Sequence, residues 1–245
     1  MTSRPPTPSP EPSPPETPLP PLVPAVRPVA GRGVRWWTSR VVVAAGYGAM
    51  LLAGTLLVQS RDATGRQAVL QWVSTSVDNL LDHPVEAMVA SAFVIEGGEP
   101  YGWLVLAVAG LVALAWRLGP WRTLAVAGAA HVLGTLVSEG IVAWRVHQGL
   151  LPQASRRLLD VGPSYVVVAA LVGAVVAGPL ACRIVGAAGF AVLAPTLFDG
   201  LADLDVPAVG HVCAVVLGAG LAAVLRPRRV ARPPMISPRA APPGR

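Results

Sequence analysis

Two side chains in the second half of the chain have the type and setting for nucleophilic catalysis. Ser164 closes the run Asp160-Val161-Gly162-Pro163-Ser164-Tyr165, where a long apolar stretch begins. Pro163 suits a first helical turn, and Gly162 permits close backbone approach. N–H groups of a first turn have no intrahelical partner, so the backbone around Gly162 and Tyr165 could stabilise an oxyanion beside the serine. A serine in a membrane helix is also an ordinary packing or back-bonding residue. His211 stands about five residues into the last apolar stretch. At 1.5 Å rise per residue, Ser164 lies roughly 5 Å and His211 roughly 8 Å below their helix starts. The two therefore share a depth, as a nucleophile and its base must.

Small residues surround both. Gly210, Ala214, Gly218 and Ala222 recur every four positions around His211, and Ala169, Gly173 and Ala177 do the same after Ser164. Such faces let helix backbones approach closely. A separate polar stripe, His131, Thr135, Ser138 and Glu139, occupies one face of an earlier helix. It reads as an interhelical hydrogen-bond stripe or a proton path. Cys182 and Cys213 are the only cysteines and fall at different depths, so no disulfide is expected. No Cys/His cluster has metal-ligand spacing and no nucleotide fingerprint occurs, so no metal and no cofactor is expected.

The elements that must position these residues are membrane spans. Of 245 residues, 53% are hydrophobic and 13% charged, about half the charge of a soluble domain. This excludes a typical soluble enzyme, a disordered protein and a disulfide scaffold. Apolar runs at Val41–Val58, Tyr101–Trp116, Thr123–Ala143, Val161–Leu180, Ile184–Phe198 and Val206–Leu225 make an all-α polytopic bundle of six transmembrane helices. The fifth is short and contains Pro195. Residues 1–40 form a proline-rich disordered tail, 41–226 the membrane core, and 227–245 a basic tail.

All 19 basic residues are arginine. With both termini in the cytoplasm, 14 arginines fall inside and 5 outside (Arg61, Arg66, Arg145, Arg156 and Arg157), as the positive-inside rule requires of a plasma-membrane protein. The net charge of +6 thus marks orientation in a lipid bilayer, and no nucleic-acid partner is expected. In the long outer segment 60–100, Leu70, Val73, Val77 and Leu80 recur at helical spacing beside Trp72. This predicts an amphipathic helix on the outer leaflet, with an ordinary packed loop as the alternative.

Taken together, these features resemble the rhomboid superfamily, over about residues 41–226. The lysine-free, Arg/Ala/Val-rich composition looks closest to its divergent actinobacterial rhomboid-like members. The resemblance implies a six-helix fold and cleavage of transmembrane segments by a serine–histidine dyad. Ser164 would be the nucleophile and Gly162 the first glycine of the family's Gly-x-Ser-Gly. His211 would be the base, in a run Gly210-His211-x-x-Ala214-x-x-x-Gly218 similar to the family's Ala-His-x-x-Gly-x-x-x-Gly. Pro84, Ser91 and Phe93 are similar to the element before helix two, and the fifth helix would match the mobile gate. The chain departs from the pattern at Tyr165, which replaces the second glycine and places its bulk beside the oxyanion site. Helix two lacks the His-x-x-x-Asn of active members, and Val168 stands where many carry an aromatic.

Three functions follow as expectations. The first is an intramembrane serine protease with Ser164 and His211 as its dyad. The second is a pseudoprotease that keeps the fold and binds membrane-protein clients. The third is a small transporter relaying protons through His131, Glu139 and His211; it lacks the paired broken helices of that class.

Overall fold

The structure, a computed structural model, describes residues 30–97 and 100–227. Most of the proline-rich tail and nearly all of the basic tail lie outside them. Nine α-helices and two short 3₁₀ turns, with no strand, make up the described residues. Helix α1 is Ala30–Gln59, followed by three short helices, α2 (Ala63–Val73), α3 (Val77–Asp82) and α4 (Pro84–Ser91). Then come α5 (Pro100–Leu118), α6 (Pro120–His147), α7 (Ser164–Ala177), α8 (Leu180–Leu197) and α9 (Val206–Leu225). Five of these are long and apolar enough to cross a membrane: Thr38–Gln59 within α1, α5, α6, α8 and α9.

The remaining expected span, Val161–Leu180, is α7, and it is shorter than its apolar run. Gly162 has φ +142°, outside the helical region, and delays the start. Gly178 and Pro179 end the helix after 14 residues, about 21 Å of rise. That is less than a hydrocarbon core of about 30 Å, yet α7 needs no more. It is apolar on every side, and Val167 to Leu171 are completely buried, enclosed by α5, α6, α8 and α9. A helix apolar all round belongs in a core; lipid contact falls to the others.

The small-residue faces do what their spacing predicts. Helices α7 and α9 make the most extensive contact of any pair. A Cβ on Gly218 would stand 2.7 Å from the Ala169 backbone, and one on Gly173 would stand 3.3 Å from the Ala222 Cβ. Ala214 and Ala222 are fully buried in the same seam. At the opposite end from Ser164, Arg40 donates to the last carbonyls of α5, at Ala115 and Trp116, and Arg117 to the Pro227 carbonyl. Cations there suit a helix C-terminus. Cys182 and Cys213 are both free thiols.

The segment between α1 and α5 differs from expectation in which face it buries. Leu70, Val73 and Val77, the stripe that spacing assigned to the leaflet, pack inward against Val58, Val94, Val142 and Val206. Burial against the protein satisfies the same periodicity as burial in lipid. The apolar side chains left exposed are Trp72, Leu81, Val85 and Val89, with Trp72 stacked on His83 at 5.4 Å.

Candidate functional site

Ser164 is the first residue of α7 and lines a cavity of about 270 Å³ together with His211. Gly162, Pro163, Glu96, Trp103, Thr196 and Leu197 contribute to the same walls. The helix starts of α7 and α9 therefore bring the expected nucleophile and base to one space. No hydrogen bond joins them: His211 Nε2 has no partner.

The histidine's orientation comes from a third element. Pro195 stands in the last turn of α8, which ends at Leu197, and the final carbonyls of a helix have no intrahelical donor. The Leu197 carbonyl instead accepts from His211 Nδ1 at 2.7 Å. A carbonyl only accepts, so the proton sits on Nδ1 and Nε2 carries the lone pair. The acceptor nitrogen is thus defined without an aspartate.

Tyr165 lies elsewhere than expected. Its side chain is buried and does not line the cavity. It turns between α6 and α9, with its ring edge-on to His211 at 5.4 Å and tilted to His131 at 6.2 Å. The notch that admits it is Gly210, where a Cβ would fall inside the phenol ring. The first turn of α7 aims the residue after the serine inward, so its bulk packs against His211 and stays out of the cavity. Gly162 also differs: its N–H donates to the Ser91 carbonyl at 3.0 Å and is not free for an oxyanion. Among the described residues, the Ser164 and Tyr165 N–H groups, at the head of α7, remain without such a bond.

A clasp of polar side chains holds this loop. Thr75 bonds the Asp160 carbonyl through N (2.9 Å) and through Oγ1 (3.0 Å), and the Asp160 carboxylate through Oγ1 (3.1 Å). Asp160 N donates to Ser74 Oγ at 2.9 Å, and the Tyr165 hydroxyl donates toward Asp160 Oδ2 and the Val206 carbonyl, each at 3.3 Å. Burial pushes the Asp160 carboxyl up to about 6, with the Thr75 and Tyr165 hydrogen bonds opposing the rise. Arg156 and Arg157 from the 3₁₀ turn Gln153–Arg157 grip Asp78 of α3 at 2.7 and 2.9 Å. Those two hydrogen-bonded guanidiniums hold the half-buried Asp78 carboxyl below its usual range.

The polar stripe of α6 is buried throughout: His131, Thr135, Ser138 and Glu139 are all less than 7% exposed. His131 Nε2 donates to the Met88 carbonyl at 2.8 Å, beside Ser91 Oγ at 3.3 Å. The Val77 N–H reaches toward Glu139, but neither carboxylate oxygen closes a hydrogen bond of ordinary geometry. The stripe does not line the Ser164 cavity. Among the described residues no cluster of His, Cys, Asp and Glu could hold a metal ion. Sequence reasoning left Thr75, Ser91, Glu96 and the Leu197 carbonyl without roles. The Ser74-Thr75-Ser76 run was the one readable signal, since three hydroxyls between apolar residues need partners when buried.

These helices and this cavity define a multi-pass, all-α membrane protein whose serine and histidine face one pocket at the loop end of a buried central helix. The chain belongs to the rhomboid-like protein family, whose model matches residues 42–231. No curated protein and no solved structure matches the chain.

Proposed function

We propose that the protein is an intramembrane serine protease, with Ser164 as nucleophile and His211 as base. The observation that carries this reading is the His211 tautomer: Nδ1 is bound to the Leu197 carbonyl, so Nε2 is an unpartnered acceptor beside the cavity that holds Ser164. In the reaction His211 Nε2 takes the Ser164 proton as Oγ attacks the scissile carbonyl, and returns it to the leaving amine. The N–H groups of Ser164 and Tyr165 offer charge stabilisation to the tetrahedral oxygen. Water then enters by the same path and His211 activates it to release the acyl group. The arginine distribution supports a plasma-membrane orientation with both termini in the cytoplasm and the cavity opening outward.

A second reading, a pseudoprotease that binds transmembrane clients, draws on a specific observation. Gly162 N–H is taken by Ser91 and α5 carries neither histidine nor asparagine, so the oxyanion has fewer donors than in active relatives. A missing donor costs about 10²–10³ in rate. A fluorophosphonate probe on purified protein separates the two. Labelling of wild type that disappears in Ser164→Ala supports the protease; a folded wild type that never labels supports the client-binding reading.

A further inference from the structure

The cavity at Ser164 is one-sided in charge. Besides His211, the ionisable side chain among its lining residues is Glu96, which is exposed, and none of the lining residues is an arginine. Asp160 precedes the wall residues Val161 and Gly162, near enough for its charge and that of Glu96 to repel. Helix α8, which supplies Thr196 and Leu197 to the wall, runs on into a connection carrying Asp199, Asp203 and Asp205, all exposed.

The connection is not free of positive charge, but its carboxylates outnumber the one arginine that reaches it. Arg145 reaches this connection but donates to the Asp203 backbone carbonyl, at 2.6 Å. Arg156 and Arg157 are held by Asp78. Among the described residues, no ion pair neutralises Glu96, Asp199, Asp203 or Asp205. Glu96 on the wall and Asp160 next to it put charge of one sign at a cleft with low-dielectric walls, which focuses the field into it. The buried, unpartnered His211 Nε2 marks the same cleft as a place that takes a ligand.

We infer that this cavity selects peptide segments bearing arginine or lysine on the outer flank of the bond presented to Ser164. The inference rests on the reading of the site as one that receives transmembrane proteins, whether to cut or to hold them. It is a discriminating preference, because membrane proteins carry few basic residues on their outer flanks. Most bilayer neighbours would meet the acidic mouth without a matching charge.

The test uses full-length Ser164→Ala protein in detergent micelles and two labelled transmembrane peptides. The peptides are identical except for two arginines or two glutamates on the outer flank. At low salt the arginine peptide binds about fivefold tighter, as one or two exposed charge pairs allow. The gap closes in about 0.5 M NaCl and is abolished or reversed by Glu96→Arg, with Glu96→Gln intermediate. Equal affinities, a gap indifferent to salt, or no binding of either peptide overturns the inference. Fluorophosphonate labelling of wild type is read separately: its absence alongside a retained arginine preference would end the protease reading and leave this one standing.

Discussion

Among the described residues two serine–histidine neighbourhoods stand out, and the one with the closer contact is the less suited to chemistry. Ser91 Oγ lies 3.3 Å from His131 Nε2, whereas Ser164 and His211 share no hydrogen bond. But His131 Nε2 also lies 2.8 Å from the Met88 carbonyl, so that nitrogen carries the proton and cannot receive one from Ser91. The Ser91 hydroxyl donates toward the same carbonyl. The lone pair of His131 is on Nδ1, buried and without a partner. In the second neighbourhood a carbonyl takes the other nitrogen, and the free one stands beside a cavity. A base is made by which nitrogen the backbone occupies and by what the remaining one faces, more than by distance to a hydroxyl.

The sharpest way to break this comparison is to delete each serine. Ser164→Ala is expected to abolish fluorophosphonate labelling, while Ser91→Ala retains it. Labelling that survived the first and failed in the second, with both proteins folded, would reverse the assignment of the two neighbourhoods. The histidines come next. His211→Gln should slow labelling by about 10²–10⁴-fold, the usual contribution of a general base. His131→Leu should leave the labelling rate within a few-fold and appear instead as lost stability in a thermal melt. Leucine has no donor for the Met88 carbonyl, and losing such a hydrogen bond costs about 0.5–1.5 kcal/mol.

The unequal legibility of the two regions follows from where their determinants lie. Apolar runs and the rise per residue were enough to bring Ser164 and His211 to one depth, because both sit near helix starts on small-residue faces. The His211 tautomer was out of reach, since it depends on the carbonyl of Leu197, at the end of a helix that spacing could not dock. Tyr165 looked like an obstruction because its position beside Ser164 was readable but its direction was not. Only the notch at Gly210, on another helix, shows that the ring goes inward. The shortness of α7 was written in Gly162 and in Gly178-Pro179, yet uninterrupted hydropathy masked both ends. The stripe Leu70, Val73 and Val77 had the right period but two apolar environments to choose from, and periodicity does not distinguish protein from lipid.

That notch yields a smaller effect, which sharpens the role of Tyr165. Gly210→Ala drives a methyl into the phenol ring, and overpacking of this kind costs about 1–3 kcal/mol. The displaced ring would take its edge contact from His211, so the melt and the labelling rate should fall together. Gly134→Ala is the control on the other side of the same ring. Its Cβ would meet Tyr165 Cδ2 at an ordinary 3.5 Å, and neither measurement should change much. If Gly210→Ala lowered the melting temperature alone, Tyr165 would be packing without positioning.

The smallest expected effect concerns the clasp that holds the Ser164 loop, and its sign distinguishes the clasp from the Asp78 ion pairs. Asp160 is raised to about 6 in the folded protein by burial, against about 3.9 for a free side chain. The folded state therefore binds the proton more tightly than the unfolded state. The stability this contributes is complete below about pH 4 and is lost as pH rises to about 6 and beyond, by on the order of 1–3 kcal/mol. Asp78 has the opposite shift; its contribution is present above the unfolded value and lost as pH falls through the folded one. Between pH 4.5 and 7.5 the Asp78 contribution is nearly constant, so the difference in melting temperature between wild type and Asp160→Asn isolates the clasp. Wild type should lose ground to the asparagine variant as pH rises, because asparagine keeps an oxygen for Thr75 and Tyr165 and never ionises. A difference that stayed flat across that window would mean that the charge on Asp160 is not what sets the strength of the clasp.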